Sequence, residues 1–262
     1  MPVTIERQGA VAILTLSRPE RRNAWGADFQ TDLTRYLAEL EQDESVLCVV
    51  LTGDESGQAF SAGADLKEST THAAPTAGDF VRSLPRLKDF VGNLLADFPK
   101  PTIAAVNGYA IGVGVLITLS CDLIVASDKA EWRMPQASLG ILPSYGSCAR
   151  LSRWIGKGLV MRAALGFPIK AEEAYRIGLA QWLVPHDKLM QQTMEVAQHI
   201  AGLPPLATRL IKEAVNRGIE IGNVAEASLV DLYRLMILES SADSAEAHAA
   251  WRERRPPDFS GN

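Results

Sequence analysis

The stretch Asn107-Gly-Tyr-Ala-Ile-Gly-Val-Gly114 follows the apolar run Ile103–Val106, and Ala59-Phe-Ser-Ala-Gly-Ala-Asp-Leu-Lys67 follows the apolar run Val46–Leu51. Small side chains let a ligand approach the backbone closely. N–H groups at the start of a helix are unpaired and carry partial positive charge. Two such donors at neighbouring strand ends can converge on one carbonyl oxygen. The same glycines are also compatible with tight turns that have no ligand.

The surrounding pattern predicts an α/β fold. The buried-strand pattern of Val46–Leu51 recurs at Ile103–Val106 and Leu123–Ala126, with helix-like sequence between, as in βαβ units. Upstream, Val3–Glu6 and Val11–Leu16 predict a hairpin, and Asp28–Gln42 has the apolar spacing of one helical face. From residue 144 onward the pattern is mainly helical. We therefore predict an α/β core over residues 1–187 and a helical region over residues 188–262.

Composition limits the kinds of partner. The chain has 262 residues, 47% hydrophobic and 22% charged, with a net charge of −5, as in ordinary globular proteins. Lys and Arg form no stripe, so a nucleic-acid partner is not expected. The longest apolar stretch, Tyr109–Leu119, is too short to span a bilayer. The three cysteines, an odd number, predict free thiols, most of them buried, and a cytoplasmic location.

Several common sites have no counterpart in the sequence. There is no phosphate-binding G-x-x-x-x-G-K-[ST], no dinucleotide-binding G-x-G-x-x-G after a strand, no H-E-x-x-H and no G-x-S-x-G. The four histidines are scattered without the spacing of metal ligands. We therefore expect no protein-bound metal.

The two small-residue segments resemble the signature segments of the crotonase (enoyl-CoA hydratase/isomerase) superfamily. Further matches follow in the same order: Arg21-Arg-Asn-Ala24, Cys121-Asp-Leu-Ile-Val-Ala126, Leu139-Gly-Ile-Leu-Pro143, Gly178-Leu179 and Glu253-Arg-Arg-Pro-Pro-Asp-Phe259. The resemblance implies a crotonase-like ββα spiral core with a C-terminal helical oligomerisation region. It also implies an acyl-CoA thioester as substrate, no permanently bound cofactor, and a homotrimer or dimer of trimers.

The resemblance assigns roles to individual residues. The N–H groups of Ala64 and Val113 would form the oxyanion hole for the thioester carbonyl, although Val113 stands where glycine is usual. Coenzyme A would be held mainly through the backbone, and C-terminal residues would border a neighbouring subunit's site. The residues at these contacts are Arg22, Ala24, Ala62, Asp65, Leu66, Trp251 and Arg254.

The sequence departs from the family at the catalytic acids. Leu116 and Gln136 occupy the positions of the two glutamates that hydratases use to activate water. Leucine cannot move a proton, and a glutamine amide only forms hydrogen bonds. Because each acid–base catalyst contributes about 10²–10⁴ in rate, hydration by the two-glutamate route is not expected. Ser144 and Tyr145 are candidates to replace them. Asp79, Glu68 and His72 are weaker candidates, since each is more often a surface residue.

Three hypotheses remain open. The first is an enzyme that acts on an acyl-CoA through an enolate, by isomerisation, decarboxylation, hydrolysis or C–C cleavage. The second is a non-catalytic acyl-CoA binder that keeps the thioester cradle. The third is a diketone hydrolase of the same fold that does not use coenzyme A. It ranks lowest, because such relatives depend on pocket histidines and only His72 lies near the pocket.

Overall fold

The computed structural model describes residues 2–65, 76–83 and 89–262. In chain order, the strands are β1 (Val3–Gln8), β2 (Val11–Leu16), β3 (Cys48–Gly53), β4 (Ala59–Ser61), β5 (Thr102–Val106), β6 (Tyr109–Ile111), β7 (Leu123–Ser127), β8 (Glu131–Arg133), β9 (Ile169–Lys170) and β10 (Trp182–Val184). The helices are α1 (Ala27–Gln42), α2 (Ala77–Ser83), α3 (Val91–Asp97), α4 (Val113–Ser120), α5 (Ser147–Ile155), α6 (Lys157–Ala164), α7 (Ala171–Arg176), α8 (Leu189–Ala201), α9 (Pro205–Gly218), α10 (Val224–Glu239) and α11 (Ala242–Glu253).

The larger sheet has the strand order β1-β2-β3-β5-β7-β10. β1 and β2 form the antiparallel hairpin that the sequence predicts, and the remaining neighbours pair in parallel. Every residue of β3 and of β5 is buried. Parallel strands covered on both faces have continuous apolar runs, which explains why these two were recognisable in the sequence. The α/β prediction is confirmed.

A smaller sheet, in the order β4-β6-β8-β9, carries the second strand of each repeating unit. β4 follows β3, β6 follows β5, and β8 follows β7, so each long strand leads into a short one. β4, β6 and β8 pair in parallel, and β9 closes the sheet antiparallel to β8. The chain thus repeats a strand–strand–helix unit, which agrees with the predicted ββα core.

Helix α1 shows how one amphipathic helix is fixed on the core. Its buried residues lie along one face and include Phe29, Leu33 and Leu40, which are fully buried. At its C-terminal end the Lys100 ammonium donates to the carbonyls of Leu40 and Asp43, at 2.5 and 2.6 Å. Carbonyls at a helix end have no partner within the helix, so this lysine satisfies them. Burial lowers the pKa of Lys100.

The C-terminal helices are joined to the sheet by packing and by an ion pair whose lysine is buried and whose carboxylate is partly exposed. Leu189 and Ala197 of α8 pack on the sheet face that includes Val50. Further along, the Lys212 ammonium lies 2.8 Å from the Asp122 carboxylate and donates to the Lys100 carbonyl at 3.0 Å. α8 therefore shares a core with the strands, and the domain boundary at residue 187 stays a prediction.

Apolar side chains are exposed on α9 and α10. They are Ile211, Val215, Leu229, Leu232, Tyr233, Leu235, Met236 and Ile237, each about half exposed. Among the described residues, no helix is long and apolar enough to cross a membrane.

All three cysteines are free. Cys48 and Cys121 are buried, and burial raises the pKa of each of these two thiols to about 12. Cys148, on α5, is partly exposed.

Candidate active site

The two small-residue segments meet at one edge of the smaller sheet. β4 and β6 are parallel neighbours, so their carboxyl ends lie side by side. A Cβ atom added at Gly63 would lie 2.8 Å from the Ile111 carbonyl oxygen, and one added at Gly114 would lie 2.7 Å from the Ser61 carbonyl oxygen. Both distances are shorter than real Cβ contacts allow. The segments are thus in direct backbone contact, which requires glycine at these positions.

Ala64 is held by an isolated parallel bridge to Trp25. The Trp25 N–H donates to the Gly63 carbonyl at 2.7 Å, and the Asp65 N–H donates to the Trp25 carbonyl at 2.9 Å. In this parallel pair the two bonds use the carbonyl of Gly63 and the N–H of Asp65, the residues before and after Ala64. The N–H of Ala64 itself therefore points away from Trp25. Within the described part of the chain it has no hydrogen-bond acceptor.

Val113 is the first residue of α4, directly after a glycine with an unusual backbone. Gly112 has φ 53° and ψ −105°, a conformation that L-residues rarely adopt. The first helical bond runs from the Leu116 N–H to the Gly112 carbonyl at 3.2 Å. The Val113 N–H therefore lies in the first turn, where no carbonyl is available within the helix. Its side chain is partly buried against the core, so the glycine-to-valine difference is accommodated by packing.

Leu116 lies in the first turn of this helix, and Gln136 lies close to Gly112, the glycine that precedes it. Leu116 is 1% exposed, and its side chain lies 3.0 Å from the point where a Cβ of Gly92 would be. Gln136 lies on a short 3-10 turn, Pro135–Leu139. Its amide nitrogen is 3.2 Å from the position of a Cβ on Gly112, and its buried Oε1 has no partner in the described ranges. Neither side chain has a group that gains or loses its charge near neutral pH.

Tyr145 lies at one end of a row of aromatic rings. Its ring stacks on Phe90 at 4.0 Å with an interplanar angle of 14°, and Phe90 meets Trp25 edge-on at 6.5 Å. Tyr145 has φ 56°, a left-handed conformation that is uncommon for a bulky residue. Ser144 is exposed, and its carbonyl accepts hydrogen bonds from the N–H and hydroxyl of Ser147. The row of aromatic rings therefore connects the loop of Tyr145 with Trp25, the residue that pairs with Ala64.

The loop with Arg22 and Ala24 is fastened to the first small-residue segment. The Arg22 carbonyl accepts from the Ala62 N–H at 2.9 Å. Asn23 is fully buried, accepts from the Arg18 N–H at 3.0 Å and donates to the Ala59 carbonyl at 2.7 Å. These contacts bring the predicted coenzyme-contacting residues Arg22, Ala24 and Ala62 together.

Asp65 is 6% exposed and paired with the guanidinium of Arg21. Its carboxylate is thus neutralised within the protein, which fits a contact through the backbone. Leu66, Glu68 and His72 lie outside the described residues. Asp79, on α2, is exposed, and its pKa is lowered by hydrogen bonds from Thr76 and Arg82.

Trp251 and Arg254 lie at the end of α11. Trp251 is 80% exposed, and Arg254 is exposed with φ 56° at the helix C-terminus. Within the chain, α11 packs against α10. The predicted contact of these two residues with a neighbouring subunit's site stays a prediction.

Sequence reasoning missed Phe90 and Asn23. No motif distinguishes Phe90, and the resemblance covers Asn23 only as part of Arg21-Arg-Asn-Ala24. A second signal was available for Asn23, since Asn is among the residues that tolerate positive φ, and Asn23 has φ 56°. As for a metal, the described residues contain no group of three or more His, Cys, Asp or Glu side chains able to hold one.

Comparison with known proteins identifies the class to which this fold and site belong. The family model for enoyl-CoA hydratase/isomerase matches residues 6–262. The chain is 35% identical to the short-chain-enoyl-CoA hydratase of Clostridium acetobutylicum, covering 97% of this chain and 95% of that protein. It is 34% identical to the 1,2-epoxyphenylacetyl-CoA isomerase of Escherichia coli, with coverage of 96% and 95%.

A solved structure agrees over the whole length. The enoyl-CoA hydratase of Bacillus anthracis superposes with a TM-score of 0.92 at 28% identity, covering 100% of both chains. The chain belongs to the enoyl-CoA hydratase/isomerase family and has the crotonase fold.

Proposed function

We propose that this protein binds an acyl-CoA thioester and holds its carbonyl oxygen between the N–H groups of Ala64 and Val113. The observation that carries the proposal is the backbone contact between the segments bearing these two residues. Both donors are unpaired within the described chain, and one of them begins a helix, where the helix dipole favours negative charge. An enolate or tetrahedral oxyanion formed there is stabilised by donors that are already in position.

The donor of Val113 is open to a direct test, because this residue is the first of its helix. Proline is tolerated at that position and has no N–H. Val113→Pro therefore removes the donor, whereas Val113→Gly keeps the donor and removes the same side chain. We expect the proline variant to bind butyryl-CoA at least tenfold more weakly than the glycine variant in isothermal titration. Equal affinities with matching thermal melts would show that this N–H does not hold the thioester.

We further propose that the reaction is not hydration by two carboxylates. Leu116 is buried against Gly92, and the Gln136 amide is neutral. What remains is chemistry that an oxyanion-stabilised enolate permits: isomerisation, decarboxylation, hydrolysis or C–C cleavage. The named relatives include both a hydratase and an isomerase, so family membership alone does not choose among these reactions.

Hydration of crotonyl-CoA tests this second proposal. We expect a rate several orders of magnitude below that of a two-glutamate hydratase, because each acid–base group contributes about 10²–10⁴. A Leu116→Glu, Gln136→Glu double variant is expected to gain hydration of crotonyl-CoA. Gln136→Glu alone is expected to gain less. Rapid hydration by the unaltered protein contradicts the proposal.

A non-catalytic acyl-CoA binder is the second candidate, and the neutral pair Leu116 and Gln136 favours it. Mass spectrometry of enoyl, 3-oxoacyl, malonyl and hydroxyacyl thioesters after incubation separates the two. Turnover of any one thioester identifies an enzyme, and binding without turnover identifies a binder.

We propose a trimer, or a dimer of trimers, as the assembled form. The exposed apolar side chains of α9 and α10, two helices in contact, support it, because exposed apolar surface is typical of interfaces. Sedimentation of the purified protein tests the assembly.

The three free cysteines support the proposed cytoplasmic location, where thiols are kept reduced.

A further inference from the structure

We propose that Ser61 is a positioning residue of the thioester site: its hydroxyl oxygen holds the peptide group before Gly63 and so fixes the direction of the Ala64 N–H. The inference rests on the proposed function, because it takes the thioester oxygen to be held by the N–H groups of Ala64 and Val113. Ser61 is fully buried, so it acts on the ligand through the backbone and not by touching it.

The hydroxyl of Ser61 pairs the donor next to Ala64. The Gly63 N–H donates to the Ser61 hydroxyl oxygen at 3.3 Å. A serine hydroxyl that accepts from the N–H two residues further on forms a local turn of known type. The Ala64 N–H, one residue beyond, has no acceptor within the described chain. Of these two adjacent donors, the serine therefore leaves only that of Ala64 for a ligand.

Gly63 lies between two peptide groups that are both held in place. The group before it is held through the bond to Ser61, and the group after it through the Gly63 carbonyl, which accepts from the Trp25 N–H at 2.7 Å. The carbonyl and N–H of one trans peptide point in opposite directions, and the Ala64 N–H belongs to the second group. Gly63 itself, with φ 86°, offers little resistance to rotation. Loss of the Ser61 hydrogen bond therefore lets the Ala64 N–H change direction.

Ser61 also contacts the second small-residue segment. A Cβ added at Gly114 would lie 2.7 Å from the Ser61 carbonyl oxygen and 3.2 Å from the Ser61 Cβ. Gly114 directly follows Val113 in the first turn of α4. Ser61 is therefore packed against the turn that carries one donor and hydrogen-bonded beside the other. A residue in this position sets both the spacing and the relative direction of the two donors.

The test removes the hydroxyl and keeps the Cβ that packs on Gly114. Ser61→Ala leaves the Gly63 N–H without its acceptor, and Ser61→Cys provides a thiol, which is a weaker acceptor. Ser127→Ala is the matched control. Ser127 is also fully buried at the end of a strand, and its hydroxyl oxygen accepts from the Lys129 N–H, two residues further on, at 3.2 Å. Thermal melts of each variant measure any general loss of stability separately.

Two readouts depend on the thioester carbonyl. The first is the ratio of affinities for butyryl-CoA and for free coenzyme A, which has no acyl carbonyl, by isothermal titration. We expect Ser61→Ala to lower this ratio by about 3–10-fold, Ser61→Cys to lower it less, and Ser127→Ala to leave it unchanged. The second is the infrared band of butyryl-CoA with an isotope label at the carbonyl carbon. Hydrogen bonds to the oxygen lower the stretching frequency of the carbonyl, and we expect a smaller lowering on binding to Ser61→Ala.

The outcomes separate this inference from the proposed function. If Ser61→Ala folds and keeps the affinity ratio and carbonyl frequency of the unaltered protein, the role of Ser61 is overturned and the thioester site stands. Equal changes in Ser127→Ala overturn it as well. If Ser61→Ala does not fold, the same two readouts of Ser61→Cys decide. If the unaltered protein binds butyryl-CoA no more tightly than coenzyme A and leaves the carbonyl frequency unchanged, both proposals fail together.

Discussion

Replacing Gly63 with alanine places a carbon atom between the two small-residue segments. The new Cβ would lie 2.8 Å from the Ile111 carbonyl oxygen and 3.3 Å from its carbon, and both neighbours are backbone atoms that cannot rotate away. Gly63 also has φ 86°. The left-handed conformation costs a residue with a Cβ about 1–2 kcal/mol, and forcing a carbon into a packed contact costs about 1–3 kcal/mol. We therefore expect a loss of about 2–5 kcal/mol in the free energy of unfolding.

Two matched variants separate these contributions. Gly140 has φ 70° with no atom within 4 Å of its added Cβ, so Gly140→Ala measures the backbone cost alone. Gly114 lies outside the left-handed region, yet its Cβ would be 2.7 Å from the Ser61 carbonyl oxygen, so Gly114→Ala measures the contact alone.

Calorimetry and titration provide the measurements. Each kcal/mol corresponds to about 2–4 °C in Tm for a chain of this size. We expect Gly63→Ala to lower Tm more than Gly140→Ala and to weaken butyryl-CoA binding, because the Ala64 and Val113 N–H groups are pushed apart. If Gly63→Ala matches Gly140→Ala in both Tm and affinity, the two segments are not in contact and the site as described is wrong.

Three further predictions concern regions away from the site. Lys212→Ala leaves the Asp122 carboxylate, which is 20% exposed and also accepts hydrogen bonds from Thr102, without its cation, so urea unfolding should show a loss of about 1–3 kcal/mol; no measurable loss would contradict the pairing. Ellman's reagent at pH 8 should titrate Cys148 alone in the folded protein and all three thiols in urea, because burial raises the pKa of the two core thiols to about 12. Hydrogen bonds from Arg255 lower the pKa of Glu246 from 4.5 to about 2. Its contribution to stability is complete above pH 4.5 and lost as pH falls toward 2, and the Glu246→Gln variant should lack this part of the Tm–pH curve.

Much of the fold could be predicted from the sequence because it follows from local patterns of apolar residues. The buried strands β3 and β5 are unbroken apolar runs, and α1 repeats its apolar residues every three or four positions. Short elements such as β9 have only two residues, too few for a periodic signal to develop.

The site was accessible in part. Small residues at two strand ends identified where a carbonyl oxygen could be held, because close backbone approach excludes larger side chains. The bridge between Trp25 and Ala64 joins residues far apart in sequence, and the stacking of Tyr145 on Phe90 does the same. Such pairings depend on the tertiary arrangement of loops, and the sequence around these residues carries no local signal for that arrangement. The unpaired oxygen of Gln136 is likewise a property of its surroundings and not of its sequence neighbours.

The N–H groups of Ala64 and Val113 belong to the backbone, and this has a consequence for how the protein can evolve. Every residue except proline supplies an N–H, so the genetic code offers few single substitutions that delete either donor. A side chain nearby, such as that of Gln136, can change without removing either donor. Mutations can therefore change the side chains around the two donors while both donors are retained. The arrangement of the two donors is most easily lost at Gly63 and Gly114, where a single methyl group would separate the two segments.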